Sequence, residues 1–332
     1  MAYYQWLRGV TYIAVTAAVG LNGFLFYVVG KKSDKSSGVN LISQTTSIAN
    51  IIFAMIELVY IPCYYSSPSM IVFFPVSPLA HTYWLMALCQ HAWFLSILQS
   101  FIMVNISFAY RGALITRPRL RELMDKYYFI AIANVVTSMI LFSGLETFLN
   151  SPDEIRRELY DFPETDFRRD FISGVGMKYA NLPRLIAGGS TVVIGMVVIM
   201  TVSAVSAYRI HAAVRASRFS AKSNRTHRKT LRLLILQILS PVICVSIPAF
   251  CNLSAAMWRF SVGEAPKVLV FGLVLFPLVN PLVIIGFTDT YRKYALRQQA
   301  SSLIKDSPTM MSSLPTDEGS CGIRDTKNIR DV

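Results

Sequence analysis

The chain has 332 residues, 53% of them hydrophobic and only 15% charged, with a mean hydropathy of +0.45 and a net charge of +13. A soluble domain of this size carries roughly 25% charged residues, so the polar surface is too small to wrap a soluble core, and the composition is that of a membrane protein. There is no glycine-rich phosphate loop, nucleophile elbow or zinc-binding helix, so the sequence offers no enzyme chemistry, cofactor or metal; no nucleic-acid-binding motif accompanies the positive charge.

A bilayer's hydrocarbon core takes about 20 apolar residues of helix to cross. Seven segments reach that length, near 10–30, 39–62, 83–109, 128–148, 185–208, 233–257 and 268–287, which predicts an all-α membrane protein built as a seven-transmembrane helix bundle. Residues 1–9 form a short leading segment. The first apolar run is too long for a cleaved signal peptide and reads as a signal anchor; it contains Asn22. The second carries Asn50 and Glu57, the one clear acid within a span. Pro62 sets Glu57 towards the outer end, where it is either a ligand or anchor inside the bundle or an interfacial acid near water.

The third segment holds Gln90, His91 and Gln99, and Trp84, Leu88, His91 and Leu95 recur at helical spacing on one face. Between the fourth and fifth segments the connection 149–184 includes an amphipathic stretch, Asp153 to Tyr160, expected to form a lid. The fifth offers Ser190 and Thr191. The sixth offers Gln237, Pro241, Pro248, Cys251 and Asn252, and the seventh Pro277, Asn280 and Pro281. Proline in a spanning helix frees a backbone carbonyl and bends the helix, and the freed group must find a neighbour. The sixth and seventh helices are therefore either hinges or merely tolerant of proline. Asn22, Asn50 and Asn280 are expected to form one interhelical network, at about 1 kcal/mol per contact. Residues 288–304, with Tyr291 and Arg292 among further basic residues, read as an interfacial amphipathic helix, and 305–332 as a disordered tail.

Of the 32 Lys and Arg residues, 23 fall in the connections 31–38, 110–127 and 209–232 and in the segment from 288. These are alternate connections, as an odd number of spans requires, so the N-terminus is predicted outside and the C-terminus in the cytoplasm. The basic face suits anionic inner-leaflet lipids and a cytoplasmic partner rather than nucleic acid.

Five motifs then carry a resemblance. The stretch "NPLVIIGFTDTYRKYAL" places Asn280-Pro281 eleven residues before Tyr291-Arg292; "FAYRGALITRP" contains Tyr110-Arg111; "SNRTHRKTLRLLILQILSP" sets Gln237 four residues before Pro241; "LNGFLFYVVGKKSDKSSG" leads into "ANIIFAMIELVYIP"; and "DEIRRELYDF" lies between spans four and five. Together, over about residues 22–296, they resemble the nematode seven-helix chemoreceptors of the Str group. The resemblance implies a G-protein-coupled chemosensory (odorant) receptor in the plasma membrane, in the ciliary membrane of sensory neurons, with small and often volatile ligands and a heterotrimeric G protein as partner. Departures are Gly286 where a tyrosine is usual, no acid before Arg111, and no cysteine between 149 and 183 to make a disulfide from the third helix to the second outer loop.

On this footing a ligand is expected among the outer halves of helices three, five, six and seven, with Trp84, Gln90, His91, Leu95, Ser190, Thr191, Cys251 and Asn252 as candidate contacts. Helix six is expected to swing about Pro241 and Pro248. The movement would open a groove, bordered by Tyr110, Arg111, Tyr291 and Arg292, for the C-terminal helix of a G-protein α subunit. The alternative reading is a seven-helix small-molecule transporter or lipid-binding membrane protein without G-protein coupling. Oligomeric state leaves no mark in the sequence.

Overall fold

The computed structural model describes residues 2–32, 38–66, 70–79, 82–116, 119, 122, 124, 126–148, 175–178, 182–216, 221–247, 250–251, 265–288, 291–294 and 296. Among the described residues seven long α-helices follow one another: α1 (Ala2–Lys32), α2 (Gly38–Tyr60), α3 (Tyr83–Thr116), α4 (Tyr127–Phe148), α5 (Leu182–Ala216), α6 (Ala221–Pro241) and α7 (Ala265–Phe287). Five are long and apolar enough to cross a membrane, over Gln5–Lys31, Gly38–Tyr60, Trp84–Ala113, Val193–Ala212 and Val270–Phe287. The other two carry shorter apolar stretches, Tyr128–Gly144 and Leu231–Cys244. In α6 the shortness has a local cause: its first half is the polar run "AKSNRTHRKTLR", and its α-helical pattern stops at Pro241.

Each helix packs on its chain neighbour or the next but one, and α7 closes the ring against α1 and α2. α3 sits centrally, in contact with α2, α4, α5 and α6. The largest core cluster joins α1, α2, α3 and α7 through Leu7, Phe53, Tyr60, Trp93, Phe101 and Phe276. A second, around Ile42, Met103, Tyr110 and Ile130, lies towards the opposite end of α2 and α3.

The bundle carries an addition that the sequence reading did not contain. Strands β1 (Pro62–Ser66), β2 (Met70–Pro75) and β3 (Val175–Lys178) form an antiparallel sheet in the order β1-β2-β3. Pro62 pairs with Pro75 and Cys63 with Phe74, while Met70 pairs with Lys178 and Phe73 with Val175. Pro62 cannot continue α2 and disfavours helical geometry in the residue before it. Ile61 accordingly swings to φ 42°, a costly conformation for a β-branched residue. It is held there by its N–H to the Glu57 carbonyl (2.9 Å) and by its own carbonyl, which accepts from Val76 N–H (3.0 Å). The Arg8 Nε on α1 donates to the Val76 carbonyl (2.5 Å), so the hairpin is fastened to two helices. Below we call this end of the bundle the sheet end.

The expected lid stretch, Asp153 to Tyr160, lies outside the described residues, as does the chain beyond Leu296. After α7, Thr288 N–H donates to the Ile284 carbonyl and Arg292 N–H to the Thr288 carbonyl. Residues from Lys293 onward form a separate unit.

Candidate functional site

At the sheet end, α2 and α3 face each other with polar groups inside an aromatic shell. Glu57 and Tyr60, three residues apart, share one face of α2, and both are 0% exposed. Gln90 and Trp93 have the same spacing on α3 and are also buried. The Tyr60 and Trp93 rings lie 5.9 Å apart, and Phe73 of β2 packs 6.1 Å from Trp93. Phe94 closes the shell, 5.4 Å from Phe73 and 5.1 Å from Trp93.

Both carboxyl oxygens of Glu57, the Tyr60 hydroxyl, the Gln90 amide nitrogen and the Trp93 indole nitrogen are buried without a hydrogen-bond partner. The Trp93 N–H interacts with the Glu57 carboxyl, but short of hydrogen-bond geometry. Most buried polar atoms in folded proteins are paired, so five such atoms in facing turns of two helices mark this place as the candidate site. The burial of Glu57 decides between the two readings of the sequence: it is inside the bundle, not an interfacial acid.

Midway along, the proline-bearing helices are bridged by side chains. Pro281 has no N–H to give to the carbonyl of Pro277, four residues earlier. Asn22 on α1 supplies one instead, its amide donating to Pro277 O at 3.0 Å and to Ala18 O at 2.8 Å. Asn50 on α2 donates to the Asn22 oxygen at 3.2 Å. Asn280 does not join this chain. It accepts from Gln237 on α6 at 3.4 Å, so the single network expected for Asn22, Asn50 and Asn280 is two, three residues apart along α7. Pro241 ends the α pattern of α6, and a π-helical turn, Val242–Ser246, follows, closed by the Ile247 N–H on the Val242 carbonyl. Gly272 of α7 lies against this turn: a Cβ there would stand 2.1 Å from the Cys244 carbonyl oxygen. Deeper still, Ser203 on α5 donates to Asn105 on α3.

At the opposite end Tyr110 is fully buried, and its ring occupies the space beside Gly38, where a Cβ would come within 2.7 Å of three ring atoms. Arg111, the next residue, has a buried guanidinium nitrogen with no hydrogen-bond partner, and Tyr291 is in electrostatic reach of it. Tyr291 itself packs on Leu25, Val29, Leu233 and Ile284. This end thus joins α1, α3, α6 and the exit of α7 around one arginine.

The residues nominated from sequence divide. Gln90 faces the interior. Trp84, Leu88 and Leu95 are exposed, on the outward face of α3. His91 lies at the rim of that face, with Nδ1 against the Ala87 carbonyl (2.6 Å), Nε2 against Glu146 of α4 (3.3 Å) and Phe142 beside it. Ser190 and Thr191 both donate to the Ala187 carbonyl of their own helix. Cys251 is exposed, and Asn252 and Pro248 lie outside the described residues. Arg292 is exposed next to Tyr291. Tyr60 and Trp93 were missed by sequence reasoning; their signal was the i, i+3 spacing from Glu57 and Gln90. Among the described residues no cluster of His, Cys, Asp or Glu could hold a metal ion, and none of the four described cysteines is in a disulfide.

Comparison with known proteins gives one family: residues 7–296 match the family model described as serpentine type 7TM GPCR chemoreceptor Str. No curated protein matches the chain.

Proposed function

This chain belongs to the Str family of serpentine seven-transmembrane GPCR chemoreceptors, and from that premise we propose that it is a chemosensory receptor that binds a small molecule at the sheet end and signals to a heterotrimeric G protein at the other. It is a multi-pass membrane protein with an all-α bundle. The plasma membrane of a sensory cell, its cilium included, is the location this reading gives it, with the sheet end outside and the basic end against anionic cytoplasmic lipids.

The observation that carries the reading is the set of partnerless polar atoms on Glu57, Tyr60, Gln90 and Trp93 within an aromatic shell. Small-molecule sites are mostly apolar with a few convergent polar groups, and this is the place in the described bundle with that composition. Gln90 is the ligand contact kept from the sequence nominations. His91, tied to α4, is a positioning residue at the rim.

Signalling follows from a two-packing equilibrium shifted by differential affinity. A ligand between α2 and α3 bears on Phe53, Trp93 and Phe101, which pack with Phe276 in the same cluster as α7. α7 is linked to α6 through Asn280 and Gln237 and to α1 and α2 through the Pro277 carbonyl. Movement at the Pro241 turn would part α6 from α3 and open Tyr110, Arg111 and Tyr291, beside the already exposed Arg292, to the C-terminal helix of a G-protein α subunit.

The test is nucleotide exchange on a co-expressed heterotrimeric G protein across a panel of small odorants, with uptake of the same compounds measured in parallel. Ligand-dependent exchange is the expected result. Uptake without exchange would make the protein a transporter and end the receptor reading.

A further inference from the structure

The Glu57 carboxyl group has chemistry that narrows the ligand class. It is fully enclosed, neither oxygen has a hydrogen-bond partner, and Trp93, whose ring packs with those of Tyr60 and Phe73, is the side chain that reaches it. The two described basic side chains of the sheet end are engaged elsewhere: Arg8 donates to the Val76 carbonyl and His91 meets Glu146. A carboxylate buried without a counter-charge costs several kcal/mol, and a cation seated against it removes that cost. Aromatic faces attract cations in addition, and organic ammonium ions are a recurrent ligand of such faces.

We propose that Glu57, with Tyr60 and Trp93, is the subsite for a small organic cation, an alkylammonium ion. The proposal rests on the receptor reading above and names the ligand class of that same site. A metal cation shares the charge but not the fit: hard cations take six or more oxygen ligands, whereas the side chains of this shell supply two carboxyl oxygens, one hydroxyl and the Gln90 amide oxygen among carbon and indole. The ammonium N–H groups donate to Glu57 and the Tyr60 hydroxyl oxygen, and the alkyl part lies against Phe73, Phe94 and the Trp93 ring. Glu57 and Tyr60 are both 0% exposed, so the ligand is short-chained.

The full chain in lipid nanodiscs is titrated with propylammonium chloride, and with sodium chloride and 1-propanol at matched concentrations, following the thermal unfolding midpoint. Propylammonium is expected to raise the midpoint saturably, with sodium and propanol far weaker. Glu57→Gln is expected to weaken propylammonium binding at least about ten-fold, the loss of one charge-assisted contact. Trp93→Phe, which keeps a ring but loses the N–H, should retain most of the affinity. Equal stabilisation by propanol, stabilisation by sodium alone, or an unchanged affinity in Glu57→Gln would each overturn the proposal. If Glu57→Gln does not fold, the wild-type discrimination between amine and alcohol decides alone. Amine binding without any nucleotide exchange would uphold the subsite and sink the receptor reading. Exchange driven by neutral odorants with no amine binding would do the reverse.

Discussion

The Pro277 carbonyl shows how a single missing N–H organises three helices. Pro281 leaves that carbonyl without its helical donor, and the Asn22 amide fills the vacancy, with Asn50 braced behind it. The two effects should therefore be coupled. Asn22→Ala alone is expected to destabilise the bundle by about 1 kcal/mol. In a Pro281→Ala background, where the backbone supplies its own donor again, the same change should cost markedly less. A double-mutant cycle by reversible unfolding in detergent measures the difference; simple additivity would show that Asn22 does not act through the freed carbonyl. The sequence made Asn22 and Asn50 legible as interhelical glue, because an amide in an apolar run must find a partner. It paired them with Asn280 because side chains are visible in a sequence and an orphaned carbonyl has to be deduced from the proline four residues later. Glu57 stayed ambiguous for a different reason: its depth could be read from Pro62, but its rotation about α2 could not.

At the scale of elements, the apolar stripe of α3 is instructive. Trp84, Leu88 and Leu95 have the spacing that marks the core face of a soluble amphipathic helix. In a bundle surrounded by lipid that logic inverts, since the outward face is the one required to be uniformly apolar, and the structure puts all three outside. Trp84→Ala should thus leave the ligand concentration for half-maximal response essentially unchanged, while Gln90→Ala shifts it several-fold. Dose–response curves at matched surface expression test both; a large Trp84 effect would return the ligand to the outward face.

The seventh helix offers a second test. At Gly272 an added methyl group would meet the backbone oxygen of Cys244, which cannot rotate away. Gly272→Ala should cost about 1–3 kcal/mol, as overpacking does, seen as a lower unfolding midpoint and reduced surface level. Helix positions were readable because 20-residue apolar runs are local signals. The sheet was not, because β3 reaches β2 across about a hundred residues of sequence, and its strands are only four to six residues long.

At the scale of the whole molecule, the two ends differ in what they lack. The sheet end has buried acceptors and donors without hydrogen-bond partners, where we propose the ligand binds. The opposite end has Arg111, with a buried nitrogen that no described group meets. Arg111→Ala is expected to reduce agonist-driven nucleotide exchange at least about ten-fold, the loss of one charged contact to the partner, while ligand-induced thermal stabilisation at the sheet end persists. If both fall together, the arginine maintains the fold rather than the coupling. Orientation is checked by tags: an N-terminal epitope should be reached by antibody on intact cells and a C-terminal one only after permeabilisation. The charge partition between connections predicts an orientation from sequence, whereas the division of labour proposed for the ends rests on which polar atoms have found partners.

The sheet that ties the second and fourth connections of the chain together is held by main-chain hydrogen bonds, with no cystine among the described cysteines. Amide-to-carbonyl pairing uses main-chain groups that every residue except proline supplies in full. The strands can therefore exchange residues from one generation to the next without losing their grip, and thiol reagents have no bond there to cut. If the ligand enters there as proposed, the entrance is free to change its side chains while keeping its backbone.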